Sequence, residues 1–131
     1  MAFRTLSRDE CLHLLREVPV GRVGVTIGAL PAIFPVNFRM RDEDVILFGA
    51  MANSRLALST HDAIVAFQVD AFDAATKKGW TVLGVGRSTR LEDDEARTAE
   101  VGGLPEPWTV GEAAEHLMQL KLRDVSGHEI I

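Results

Sequence analysis

Hydrophobic and polar positions change period several times along this 131-residue chain. Ser7-Arg8-Asp9-Glu10 reads as a capping box, with the Ser7 hydroxyl and the Glu10 carboxylate each serving the other's amide. Behind it Cys11, Leu14, Leu15 and Val18 share one helical face, and Pro19 predicts that the helix ends near Glu17. From Val20 the period drops to two: Val23, Val25 and Ile27 alternate with Arg22, Gly24 and Thr26, as in a half-buried strand. Gly28 to Pro31 turns the chain, Ile33–Phe38 reads as a second strand, and Val45–Phe48 as a third that is apolar on both faces.

The segment Gly49 to Ser54 reads as a loop entering a short helix at Arg55–Ser59, capped by Asn53 or Ser54. Ile64–Val69 is a further strand, Asp73–Gly79 a solvated excursion, and Trp80–Leu91 a long strand. Within it, Gly84 and Gly86 mark a bend or close backbone approach. Asp93-Asp94-Glu95 opens another predicted helix, broken by Gly102 to Pro107. Met118, Leu120 and Leu122 alternate with polar residues as a last strand, after which Ser126-Gly127 predicts a turn into a short tail, His128 to Ile131. About six antiparallel strands with a few short helices describe a mostly β, small barrel.

The length suits a single domain over residues 1–131, and 47% hydrophobic with 25% charged residues is the balance of a packed protein. So short a chain leaves much apolar surface uncovered, which favours pairing with a second copy. One cysteine, Cys11, excludes an internal disulfide and points to a reducing, cytoplasmic setting. No apolar leader or membrane-length run is present, and a net charge of −5 argues against nucleic acid as a partner.

The chemistry-bearing motifs are mostly negative. No dinucleotide or Walker-type glycine loop and no Gly-x-Ser-x-Gly elbow occurs, and the four histidines (His13, His61, His116, His128) lack metal-ligand spacing. Asn53-Ser54-Arg55 is the one segment with phosphate-binding logic: amides of a first helical turn, a hydroxyl donor and a guanidinium.

A set of pieces in fixed order carries a resemblance. These are Leu6–Leu12, Val20-Gly21-Arg22-Val23, Pro31 through Pro35-Val36-Asn37-Phe38, Asn53-Ser54-Arg55-Leu56, Val65–Asp70, Gly79–Arg87 and Pro107-Trp108. Together they resemble the pyridoxamine 5′-phosphate oxidase-like family of FMN-binding split β-barrels over nearly the whole chain. The resemblance implies a six-stranded antiparallel split barrel working as a homodimer, with cofactor sites at the subunit interface and a small-molecule substrate. It further implies that the strand Val36, Asn37, Phe38 lies along the flavin ring and that Asn53, Ser54 and Arg55 hold the FMN phosphate. By the same resemblance Trp80, Thr81 and Val82 approach the flavin from the partner subunit, and Trp108 closes the pocket.

One position departs from that pattern. Where the family usually carries an Arg- or His-Thr pair after the third strand, this chain has Gly49-Ala50, two fewer side-chain donors for the phosphate. Three readings follow: an FMN-dependent oxidoreductase, a reductase using a deazaflavin coenzyme, or a non-catalytic module that binds flavin or haem, or no cofactor. Oxidation of pyridoxamine 5′-phosphate itself is not expected, for want of a second basic cluster.

Overall fold

The computed structural model describes residues 2–92 and 115–131. The predicted helix at Asp93, the break at Gly102 to Pro107 and Trp108 lie outside the described residues. The elements run β1 (Phe3–Thr5), α1 (Arg8–Leu15), β2 (Val20–Ile27), β3 (Leu30–Asp42), β4 (Val45–Ala50), α2 (Arg55–Thr60), β5 (Ala63–Asp73), β6 (Lys78–Arg90) and β7 (His116–Ile130). The sheet order is β1-β7-β4-β3-β2-β5-β6, every pairing antiparallel, and β6 pairs back onto β7. That last pairing joins the six long strands into a barrel, the architecture the alternating patterns predict. The seventh strand, β1, is an addition: Phe3, Arg4 and Thr5 pair with Ile130, Glu129 and His128 on the far side of β7.

Period-two patterning is realised as expected. On β2, Gly21, Val23 and Val25 are buried while Arg22 and Thr26 are exposed. On β5 the inward residues are Val65, Phe67 and Val69. The apolar run of β4 is buried on both faces because two cores flank it. Ile46, Phe48 and Ala50 enter the barrel interior, whereas Leu47 joins Leu91 and Leu117 outside it.

The capping box of α1 forms as predicted: Glu10 N donates to Ser7 Oγ at 3.2 Å, and Ser7 N donates to Glu10 Oε1 at 3.1 Å. This amide bond, joined by Arg4 at 2.8 Å, holds the Glu10 carboxyl below the usual carboxylate range. The helix stops at Leu15, two residues early. Arg16 N and Glu17 N donate to the carbonyls of His13 and Leu14, so its last turn tightens ahead of Pro19. Its buried face is Cys11, Leu12 and Leu15; Leu14, placed there by periodicity, is only partly covered.

Two glycines are demanded by barrel closure. A Cβ on Gly86 would collide with the Lys121 carbonyl at the bulge where β6 crosses β7, and one on Gly84 would lie 2.7 Å from Leu122 Cδ2. The expected turn at Ser126-Gly127 does not form. β7 continues through it to Ile130, with Gly127 opposite Val82. A Cβ on Gly127 would come within 2.7 Å of Cys11 Sγ and 2.8 Å of the Thr81 carbonyl, so this glycine lets α1 dock on the strand.

Candidate functional site

Residues singled out in the sequence fall into two groups. The first surrounds β3 and the start of α2. β3 pairs with β2 from Leu30 to Asn37 but with β4 only from Phe38 onward. The edge of Leu30–Val36 that faces away from β2 therefore has no strand beside it among the described residues; here the barrel is split. Val36 and Phe38 point inward and are buried, Phe38 packing edge-on to Phe67 with ring centroids 4.9 Å apart. Asn37, of opposite parity, is half-buried on the outer side.

Asn53 adopts a left-handed conformation (φ 59°) that swings the chain into α2, and Ser54 is the cap. The Ser54 hydroxyl accepts from Ala57 N at 3.0 Å and donates to the Met51 carbonyl at 2.7 Å. Both of its capacities are thus engaged locally. Arg55 is exposed, sits 6.0 Å over the Phe34 ring, and makes no ion pair among the described residues. Gly49 and Ala50 are not loop residues: they end β4, buried, opposite Leu117 and His116. The following amide, Ala52 N, donates to Glu115 Oε1 at 3.1 Å, so a carboxylate is already seated on the loop that leads to Ser54.

The second group lies on β6. Trp80 and Thr81 line a cavity of about 300 Å³ together with Phe72 of β5, Phe3 of β1 and His128 of β7. Phe3 and His128 stack at 4.8 Å. Val82 shares the face of Trp80 and is buried in the barrel core, against which Trp80 packs, whereas Thr81 faces outward. Sequence reading missed Phe3 and His128 because their proximity arises from the β1–β7 pairing. A larger cavity, about 410 Å³, lies between the end of α1 and β3, where it includes Phe38.

The start of α2 lies far from the Trp80 cluster in one chain, whereas Asn37, opposite Val20 of β2, stands toward the Trp80 end. α2 runs directly into β5, whose first residue, Ala63, pairs with Ser88. α1 instead packs beside Gly127 and Thr81, near the Trp80 end. Trp80 and Ser88 stand eight positions apart on β6, about 26 Å at 3.3 Å per residue.

Other titratable side chains have structural duties. Arg87 pairs with Asp62 at 2.7 Å, and Asp73 Oδ1 accepts the amides of Ala75 and Thr76 to shape the β5–β6 turn. Lys121, with Arg8, holds the Asp44 carboxyl below its ordinary range. Burial pushes the Cys11 thiol up, away from nucleophilic use. His61 Nδ1 accepts from Arg90 N at 3.3 Å. Among the described residues no group of three or more His, Cys, Asp or Glu side chains is arranged to hold a metal.

Comparison with known proteins agrees with this architecture. Residues 7–129 match the sequence profile of the family described as pyridoxamine 5′-phosphate oxidase. An uncharacterised protein of Mycobacterium tuberculosis is 33% identical over 130 residues, covering 96% of this chain and 84% of its own. A conserved protein of unknown function from Corynebacterium diphtheriae superposes with a TM-score of 0.79 at 28% identity, covering 98% of each chain. A FAD-binding protein of Mycobacterium smegmatis has the same fold, with a TM-score of 0.77 at 23% identity over 99% of this chain and 100% of that one.

Proposed function

The chain belongs to the pyridoxamine 5′-phosphate oxidase family, and from that premise we propose that it is a homodimeric, cytoplasmic, FMN-binding oxidoreductase acting on a small molecule. The observation that carries this reading is the divided site. Ser54 and Arg55 serve one end of a flavin, and Trp80 and Thr81 the other, yet in a single chain the two sets belong to opposite ends of the barrel. A second copy brings them together.

The outer sheet face offers a surface for that copy. Ile33, Gly24, Ala66 and Val85 stand in register across β3, β2, β5 and β6. Ile33 in this row is 70% exposed, and beside the row Ile64 and Leu83 are 61% and 45% exposed. A contiguous apolar strip of this kind favours burial against a partner.

The residues present fit a flavin unevenly. The aromatic-walled cavity at Trp80 and the open edge of β3 suit a flat ring and its backbone contacts. At the phosphate end Arg55 is the one strong donor side chain among the described residues, since Ser54 is engaged in capping and Gly49-Ala50 contribute none. Flavin, when bound, supplies hydride and single-electron chemistry. Arg55 anchors, Asn37 and the β3 edge orient the ring, and Trp80 shields it from water. No side chain among these is positioned as a general acid or base, so a substrate is selected by its fit over the ring.

The sparse phosphate end also favours a second reading, a deazaflavin coenzyme in the same cleft. Titrating the purified protein with FMN, FAD and a deazaflavin coenzyme, followed by visible absorption and sedimentation equilibrium, separates the readings. We expect a perturbed FMN spectrum at micromolar concentration from a dimer. Leu83→Arg, which buries a charge in the apolar face, yields a monomer that no longer binds FMN. A monomer that still binds it at wild-type affinity would overturn the shared site.

The carboxylate on the Ala52 amide gives a second expectation. Glu115→Gln keeps an acceptor there but removes a negative charge near the anchor. At about 8 Å in water one charge pair is worth roughly 0.5 kcal/mol. FMN binding should tighten about twofold at low salt, and the gain should vanish at high salt. Isothermal titration at two ionic strengths checks this.

A further inference from the structure

Across the outer face of β2, β5 and β6 runs a chain of polar contacts. Arg22 Nη1 donates to Gln68 Oε1 at 3.1 Å. Gln68 Nε2 donates to Asp70 Oδ2 at 2.9 Å and to Thr81 Oγ1 at 3.1 Å. Arg22 also lies 3.8 Å from Asp70 Oδ2.

The protonation logic of this chain has one solution. Arginine only donates and an ionised aspartate only accepts. The Gln68 amide must therefore present its oxygen to Arg22 and its nitrogen to Asp70. The second amide hydrogen then falls on Thr81 Oγ, which becomes an acceptor from Gln68. Its own single proton is left to be donated elsewhere, and no acceptor among the described residues takes it. Asp70 Oδ1 likewise retains accepting capacity. Asp70 and Thr81 are directly paired across β5 and β6, and both line the cavity at Trp80.

We propose that Thr81 and Asp70 form a donor–acceptor pair that reads an –NH–C(=O)– edge of a flat heterocycle held in the cavity beside Phe72, Phe3 and His128. Gln68, locked by Arg22, is the positioning residue that sets the polarity of Thr81. This rests on the flavin reading above, since a flavin ring carries such an edge at N3–H and its neighbouring carbonyl. The ring carbonyl accepts from Thr81, and N3–H donates to Asp70.

The experiment measures dissociation constants for FMN and N3-methyl-FMN by fluorescence quenching, with melting temperature as the folding control. Wild type should prefer FMN over the N3-methyl analogue by about tenfold, the size of one hydrogen bond to a charged acceptor. Thr81→Val should weaken FMN about fivefold. Gln68→Glu reverses the relay, because Thr81 must then donate to the new carboxylate, and should weaken FMN by a similar factor. Thr81→Ser should restore wild-type affinity. If Gln68 acts through Thr81, Gln68→Glu combined with Thr81→Val weakens binding no more than Thr81→Val alone. Should Gln68→Glu fail to fold, Gln68→Met replaces it. This removes the donor that orients Thr81 but leaves its proton, so FMN should weaken less than in Thr81→Val, and the double variant should match Thr81→Val alone. Equal affinity for the two flavins, or multiplicative effects in the double variant, overturns this assignment while leaving the flavin reading intact. Failure of wild type to bind FMN, FAD or a deazaflavin overturns both.

Discussion

Arg55→Ala should weaken FMN binding tenfold to a hundredfold while shifting the melting temperature by no more than a few degrees. The magnitude follows from the chemistry at the head of α2. A charge-assisted hydrogen bond contributes about 1.5–3 kcal/mol, and each 1.4 kcal/mol is a factor of ten. In a protein with side-chain donors at Gly49 and Ala50 the loss would be shared. Here those positions are buried strand residues and the Ser54 hydroxyl is bonded to Ala57 N and the Met51 carbonyl. Stability should hardly change, because the guanidinium is exposed and its one ring contact, at 6.0 Å to Phe34, is of the kind worth about 0.5–1 kcal/mol. Arg55→Lys keeps the charge but not the planar fork, and should fall between the two. Fluorescence quenching of FMN at low and high salt measures all three proteins. An Arg55→Ala protein that binds as wild type would place the phosphate elsewhere.

Phe67→Ala should cost about 3–5 kcal/mol of folding stability. That is a large part of the 5–15 kcal/mol typical of a native domain, and the melting temperature should drop by more than about 10 °C. Phe67 is 1% exposed at the middle of β5, where it pairs with Val23 of β2 and Gly84 of β6. Its ring meets Phe38 edge-on and fills the space above Gly21, where a Cβ would strike the ring tip. The neighbours that would have to close a cavity there are held in register by barrel pairing on both sides, so collapse is limited. Chemical denaturation read by circular dichroism checks the figure, and a loss under 1 kcal/mol would mean the interior can repack. Phe67→Leu, which keeps much of the volume, should cost less.

Much of the fold was written in local patterns. Val23 and Val25 against Arg22 and Thr26 announced a half-buried strand. Ser7 with Glu10 marked one helix start that the structure reproduces to the residue, and Asn53 or Ser54 marked another, of which the structure takes Ser54. Gly84 and Gly86 announced a bend or a close backbone approach, which the structure makes against β7. Each of these signals depends on neighbours within a few positions, where periodicity, capping geometry and the absence of a Cβ act directly. The apolar run of β4 was equally plain, though its second burial surface, against Leu91 and Leu117, was not.

The candidate site was legible only as separate pieces. Asn53-Ser54-Arg55 and Gly79-Trp80-Thr81 could be picked out by residue type and by their order along the chain. Nothing local showed that Ser54 spends its hydroxyl on its own helix, that Glu115 reaches back to Ala52, or that Gln68 joins Arg22 to Thr81. Ser126-Gly127 misled for the same reason: a Ser-Gly pair favours a turn locally, but β6 and α1 need the strand to continue and the glycine to make room for Cys11. β1 was missed because three exposed residues carry too little pattern, and they gain strand partners only once β7 extends to Ile130.

By itself, then, the sequence determined the element types, the strand periodicity, the capped helix starts and the residues able to grip an anion or stack on a ring. Tertiary structure alone decided which of them meet. Cross-strand neighbours are set by the register in which the barrel closes, and that register is a property of six strands together. It brings Asp70 beside Thr81 and Phe3 onto His128, and it leaves Arg55 and Trp80 toward opposite ends of one chain.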